Sequence, residues 1–135
     1  VTDKATIAKD LAYYEKKLAD NVPGREGQSP AMSHAIFCIL HARAGNTEKA
    51  TQLFTKSYKP NEVPPFGVLA ETAGGTNPYF ATGAGGFLQT ILSGFGGLDI
   101  TEDGIEQLKV KLPAKWRSLT ITGVGPEKKT FTVRQ

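Results

Sequence analysis

Gly94, Gly96 and Gly97 mark a change of hydrophobic period, and a chain that changes period cannot be built from one kind of element throughout. Upstream of them apolar residues recur at helical spacing. Downstream they alternate: Leu98 and Ile100, then Leu108, Val110 and Leu112, then Leu119, Ile121 and Val124, then Phe131 and Val133. Thr101-Glu102-Asp103-Gly104 and residues 123–127 supply turns between these runs. The expected fold class is α+β, with helices first, a small antiparallel β-sandwich portion or lid after them, and a junction near Gly97. No internal repeat of solenoid length interrupts that division.

The helical half divides further. Ile7, Leu11, Tyr14 and Leu18 follow one another at four, three and four residues, which makes one apolar face of a helix with Thr2 as its N-cap. Residues 21–28, with Pro23, Gly24 and Gly27, break that helix. Ser29-Pro30 reads as the cap and first-turn proline of a second helix that ends at Gly45. Met32, Ala35, Ile36, Phe37, Ile39 and Leu40 leave this second helix no broad polar face, so it must pack on more than one neighbour. Isolated from such neighbours, it and the first helix would expose a large apolar surface. Asn46 and Glu48-Lys49 open a third helix, with Ala50, Leu53 and Phe54 inward and an end between Tyr58 and Pro60. From Pro60 to Tyr79 the chain carries four of its eight prolines, which predicts an ordered, irregular loop of the kind that tends to be functional. Helical spacing returns over Phe87, Leu88, Ile91 and Leu92. The Gly83-Ala84-Gly85-Gly86 stretch before it permits a close backbone approach.

Charge and cysteine content exclude several function classes. The 16 basic and 13 acidic residues are scattered along the chain, so the net +3 forms no stripe for nucleic acid or for a membrane surface. No run of about 18 apolar residues is present to span a bilayer. The single cysteine, Cys38, lies within the apolar run of residues 35–40, where a buried, inert thiol is expected. His34 and His41 stand two helical turns apart, too far to share a metal. No metal or cofactor is implied.

Several segments resemble one family in order and spacing. They are Leu11-Ala12-Tyr13-Tyr14-Glu15, Pro30-Ala31-Met32-Ser33, Pro65-Phe66-Gly67-Val68-Leu69-Ala70-Glu71-Thr72, the stretch from Tyr79 to Gln89, Gly94-Phe95-Gly96-Gly97-Leu98, and Leu112-Pro113-Ala114-Lys115-Trp116 with Leu119. Together they are similar to the end of glycoside hydrolase family 65. The family includes acid trehalases, kojibiose-type hydrolases, a glucosidase acting on glucosylgalactosyl hydroxylysine, and inverting disaccharide phosphorylases. The resemblance implies an (α/α)6 catalytic barrel followed by a C-terminal β-sandwich. Twelve helices of about 11 to 12 residues need far more chain than this. Residues 1–97 are therefore expected to be the last part of such a barrel and residues 98–135 the C-terminal β domain. The implied partners are a glucoside or disaccharide substrate and the missing N-terminal part of the enzyme, or a partner chain supplying it.

Inverting hydrolysis needs a carboxylic acid to protonate the leaving oxygen and a carboxylate, roughly 6.5 to 9.5 Å away, to deprotonate the attacking water. Glu71 lies in the glycine- and proline-marked loop, as does Glu62 at its start, whereas Glu48, Glu102, Asp103, Glu106 and Glu127 fall in helix starts, turns or strands. The resemblance gives Glu71 the role of general base and leaves the acid to the upstream part, so the chain alone should be inert. Glu71 should point into a concavity and not into bulk solvent. Thr82 and Gly83, with the glycines that follow, are candidates to contact sugar through a hydroxyl and helix N-terminal amides; tight helix packing is the competing role for the glycines. Asn77 and Gln89 are candidates to hydrogen-bond sugar hydroxyls, and Tyr79 and Phe80 to form an apolar wall, with core packing the alternative for Phe80. Trp116 is expected to anchor the β part to the helices. The family's phosphorylases hold phosphate with a serine-rich turn and a histidine. Here those positions read Gly27-Gln28-Ser29-Pro30 and Asn77-Pro78-Tyr79-Phe80-Ala81, which favours water over phosphate. A non-catalytic carbohydrate-binding module is the remaining alternative, but its strands would carry exposed aromatics where these carry mainly aliphatics and threonines.

Overall fold

The computed structural model describes residues 3–20, 31–74 and 77–135. Helix α1 spans Lys4–Asp20, α2 Ala31–Arg43, α3 Thr47–Lys56 and α4 Ala81–Gln89, and α4 runs on into a π-helical turn over Thr90–Phe95. Thr2, Ser29 and Pro30 lie outside the described residues. At the start of α1 the capping oxygens belong to Asp3, which accepts from the Thr6 N–H at 2.9 Å, the Thr6 hydroxyl at 2.6 Å and the Ala5 N–H at 3.3 Å. These bonds favour the ionised form and hold its carboxyl below the usual aspartate value. Asn46 was expected to cap α3, but its side chain makes no cap bond and its Nδ2 lies 3.4 Å from His41 Nδ1. The tight turn at Gly45, φ 82°, folds α3 back on α2 and brings that amide over the end of α2.

The expected close approach of the glycines is present, but inside the helix. A β-carbon at Gly83 would stand 3.3 Å from Ala31 Cβ, one at Gly86 3.2 Å from Ala35 Cβ, and one at Gly94 3.5 Å from Ile39 Cα. Residue numbers rise together along the two elements, so α2 and α4 run parallel with backbones in near contact. Small residues on both sides make that distance possible. Ala31, Ala35, Cys38 and Ala42 are thereby buried on α2, while Ile36 is 48% exposed and Leu40 38% on its outer side. Ile7, Tyr13 and Tyr14 add exposed apolar surface on α1, in line with the expectation for helices patterned to meet further neighbours.

The segment between α3 and α4 is more regular than its prolines predict. A 3-10 turn, Lys59–Asn61, leads into strand β1, Glu62–Val63, which pairs antiparallel with β2, Val68–Leu69. Beyond Gly97 the strands are β3, Leu98–Thr101, β4, Gly104–Gln107, β5, Ser118–Val124, and β6, Lys129–Arg134. Among the described residues they form separate hairpins, β3 with β4 and β5 with β6. Two readings need correction. The run Leu108, Val110 and Leu112 joins no ladder, because it spends its extended stretch crossing back to the core, where Leu112 is buried. Ile100 is 85% exposed although it shares a face with buried Leu98, because the β3–β4 hairpin projects beyond the core that covers its base.

One core spans both halves. Cys38 and Ala42 of α2, Ala50 and Leu53 of α3, Phe95 and Leu112 form it, and Leu119 of β5 and Val133 of β6 pack against it. Trp116 stands edge-on to Phe54, with ring centroids 5.7 Å apart, and tilted against Phe95 at 5.2 Å, so it does join the β part to the helices. Arg43 adds a polar tie: its guanidinium donates to the carbonyls of Ser93 and Leu98 and reaches Asp99 Oδ1 at 3.0 Å. No described helix is long and apolar enough to cross a membrane.

Candidate active site

The parallel run of α2 and α4 brings their N-terminal ends to the same side of the molecule, and the loop carrying Glu71 lies across that end. The Phe80 N–H donates to the Leu69 carbonyl at 2.8 Å, closing the loop immediately before α4 begins. On the other side, the N–H of Ala31, the first residue of α2, donates to the Glu71 carbonyl at 3.4 Å. The partial positive charges of two helix starts therefore gather at this end, where they favour oxygen-rich and anionic groups.

Asn77 meets Glu71 twice. Its carbonyl accepts the Glu71 N–H at 3.3 Å, and its side-chain amide donates to Glu71 Oε2 at 3.4 Å. The Glu71 side chain is exposed, and Thr82 is exposed on the first turn of α4. Glu71, Asn77 and Thr82 thus belong to one end of the helix pair. Gln89 does not. Seven residues beyond Thr82, it shares that face of α4 but stands about 10 Å further along at 1.5 Å per residue. Its Oε1 accepts from the Ser93 hydroxyl at 2.9 Å. Gly83 is buried between Phe80 and Ala31, which places it in the packing role. Tyr79 is 77% exposed with a φ of 63°, a backbone conformation unusual for a residue with a side chain, while Phe80 is half-buried.

The described residues do not enclose Glu71. A groove of about 710 Å³ runs between α1 and the end of α2, and another of about 1130 Å³ lies between α3 and the β part, but neither is lined by Glu71 or by Asn77, Thr82, Gly83 or Gln89. Among the described residues Glu71 is exposed and lines neither groove, so it does not point into the expected concavity.

Sequence reading missed Asn61. Its side chain is almost fully buried, and Nδ2 donates to the carbonyls of Ala70 at 3.0 Å and Glu71 at 3.1 Å. The signal available was weak: an asparagine beside a proline reads as a turn residue and nothing more. The remaining titratable groups have structural settings. Burial pushes the Cys38 thiol up to about 12, in keeping with an inert core cysteine. His34 is held below the ordinary histidine value by burial and, secondarily, by Lys56. His41 Nε2 lies 3.1 Å from Glu15 Oε2 without hydrogen-bond geometry, and the same carboxylate meets Lys49 at 3.4 Å. No group of three such side chains among the described residues is placed to hold a metal ion.

No family model matches the chain. Its relatives are more informative: it is 57% identical over 134 residues, 99% of its own length, to a kojibiose hydrolase of Mucilaginibacter mallensis. The chain belongs to the glycoside hydrolase family 65-like enzymes. It matches their C-terminal part and spans only 19% of the Mucilaginibacter relative. A protein-glucosylgalactosylhydroxylysine glucosidase of Dictyostelium discoideum is 32% identical over 130 residues, covering 96% of this chain and 17% of that protein. A kojibiose phosphorylase of Caldanaerobacter subterraneus is 29% identical over 119 residues, covering 87% of this chain and 14% of the relative. Family 65-like members named for hydrolysis and for phosphorolysis thus both align to this segment, and the choice between those reactions falls to its residues.

Proposed function

We propose that this chain is the C-terminal portion of an inverting family 65-like hydrolase that cleaves an α-glucosidic disaccharide or glucoside by water attack, with Glu71 as general base. Kojibiose is the first substrate to test, given the name of the relative at 57% identity. The observation that carries the reading is the setting of Glu71: an exposed carboxylate, held by Asn77, at the shared N-terminal end of two parallel helices. A base must reach a water that arrives from outside the protein, and its conjugate acid must release the proton afterwards. An exposed, lightly tethered carboxylate suits both needs. The parallel direction of α2 and α4, with α3 antiparallel between them in the chain, supports a ring of helical hairpins in which every second helix shares a direction. In that arrangement residues 1–97 close an (α/α)6 barrel and residues 98–135 form a β-sandwich domain beside it. The exposed apolar faces of α1 and α2 then meet the upstream helices, which also supply the acid. The chain alone is expected to be inert.

Water is favoured over phosphate on electrostatic grounds. A glutamate at position 71 puts negative charge where phosphate must enter, and two like charges ~4 Å apart repel by roughly 4 kcal/mol at an effective dielectric of 20. The stretch from Asn77 to Ala81 offers no histidine to compensate. In the complete enzyme, Glu71→Gln should lower the rate of kojibiose hydrolysis by about 10²- to 10⁴-fold with folding intact. The wild-type enzyme should release glucose at a rate indifferent to phosphate. A wild-type rate in Glu71→Gln removes the base assignment. Acceleration by phosphate with β-glucose 1-phosphate as the product would establish the phosphorylase instead.

A further inference from the structure

The side chain of Glu71 has little of its own to orient it. The bond from Asn77 is long and lies at the surface, so the direction in which the carboxylate points is set mainly by the backbone that carries it. That backbone is held from beneath by Asn61. The Asn61 side-chain amide uses both of its hydrogens, one on the Ala70 carbonyl and one on the Glu71 carbonyl, while the Asn61 backbone carbonyl accepts the Ala70 N–H at 2.8 Å. The Asn61 backbone N–H donates to the Tyr58 carbonyl at 2.9 Å, which ties this segment to the end of α3. Asn61 is 1% exposed, so water cannot substitute for these bonds without opening the segment.

We infer that Asn61 is a positioning residue for catalysis, fixing the peptide on which Glu71 is mounted so that its carboxylate meets the attacking water in the productive direction. The inference rests on the reading of Glu71 as base. No apolar side chain of similar size offers the two donors, and an aspartate offers only acceptors when ionised. Displacement of a catalytic group by about 1 Å costs on the order of 10²-fold in rate, and the loss appears in turnover, since substrate is bound largely by other residues.

The test uses the complete enzyme, with α-glucosyl fluoride as substrate so that slow variants remain measurable, and thermal unfolding to verify that each is folded. Asn61→Ala should lower kcat by about 10- to 10²-fold while KM changes little. In the Glu71→Gln background the same substitution should cost almost nothing more, because a residue acting through Glu71 has nothing left to position. A folded Asn61→Ala enzyme with wild-type kcat, or a loss of equal size in both backgrounds, overturns the inference while leaving Glu71 as base. Asn61→Asp provides a second route should the alanine variant not fold. Its buried acid, facing two carbonyls, regains one donor when protonated, so its rate relative to wild type should rise as pH falls. A flat ratio overturns the inference. A wild-type rate in Glu71→Gln removes the base and this inference with it.

Discussion

The two ends of the parallel pair α2 and α4 are built by opposite means. At the N-terminal end the contacts are hydrogen bonds and small residues: Asn61, Ala70, Glu71, Asn77, Ala31 and Gly83, with polar side chains left exposed. At the other end Phe54, Phe87, Phe95 and Trp116 stack and tilt against one another over Cys38 and Leu112. Apolar burial is non-directional and stabilises without fixing any polar group in particular, whereas hydrogen bonds are directional and contribute only about 1 kcal/mol each. The difference places stability at one end and chemistry at the other. One consequence is that substitutions at the two ends should separate activity from folding.

The widest separation is expected between Glu71→Gln, with its loss of rate and unchanged unfolding midpoint, and Trp116→Ala. In the complete enzyme, loss of the indole should destabilise by about 3 kcal/mol, because the ring contacts that join the β part to the helices go with it. Its activity per folded molecule should stay near wild type. Denaturant unfolding followed alongside turnover measures both quantities. A Trp116→Ala enzyme that stays fully stable, or a Glu71→Gln enzyme that unfolds early, would break the comparison.

Two neighbouring glycines sharpen it at a smaller scale. A β-carbon at Gly86 meets Ala35 at 3.2 Å and Met32 behind it, so Gly86→Val should cost about 1 to 3 kcal/mol by forcing α2 and α4 apart. Gly85 faces open space, and Gly85→Ala should leave stability unchanged or raise it by up to about 1 kcal/mol through helix propensity. Chemical denaturation of the two variants reads the sign directly, and equal effects would show that the helix contact is looser than described.

The smallest effect concerns His34. Burial holds its folded-state value below the ordinary 6.5, with Lys56 adding to the shift, so below that pH the unfolded chain binds a proton that the folded one resists. Its contribution is complete above about pH 6.5 and is lost as pH falls from there toward the lower folded value. His34→Gln should flatten that part of the profile in unfolding midpoints measured from pH 7 to 5. An unchanged slope would mean that other groups carry the acid sensitivity.

Much of this was legible in the residues themselves. Among the described residues periodicity placed α1, α2, α3 and the later part of α4, and the apolar second helix announced that it needs neighbours on several sides. Its proline- and glycine-marked loop separated Glu71 from the acids at helix starts and turns but not from Glu62, and the family resemblance made that choice. Cys38 and Trp116 also took the roles their surroundings indicated. Periodicity was misleading where alternation met no partner, as at residues 108–112, and where a hairpin outran its core, as at Ile100.

The sequence by itself determined most of the helical stretches and where helices give way to strands, because these depend on patterns within a few residues. Tertiary structure alone decided that Gly83 and Gly86 lie inside a helix as its contact face, and that α2 and α4 run parallel so that their starts meet at one loop. It also decided that a buried amide ten residues before Glu71 holds the backbone beneath it. Close approach and hydrogen-bond partnership are properties of pairs brought together by the chain path, and no local spacing of residue types records which carbonyl a distant asparagine will meet.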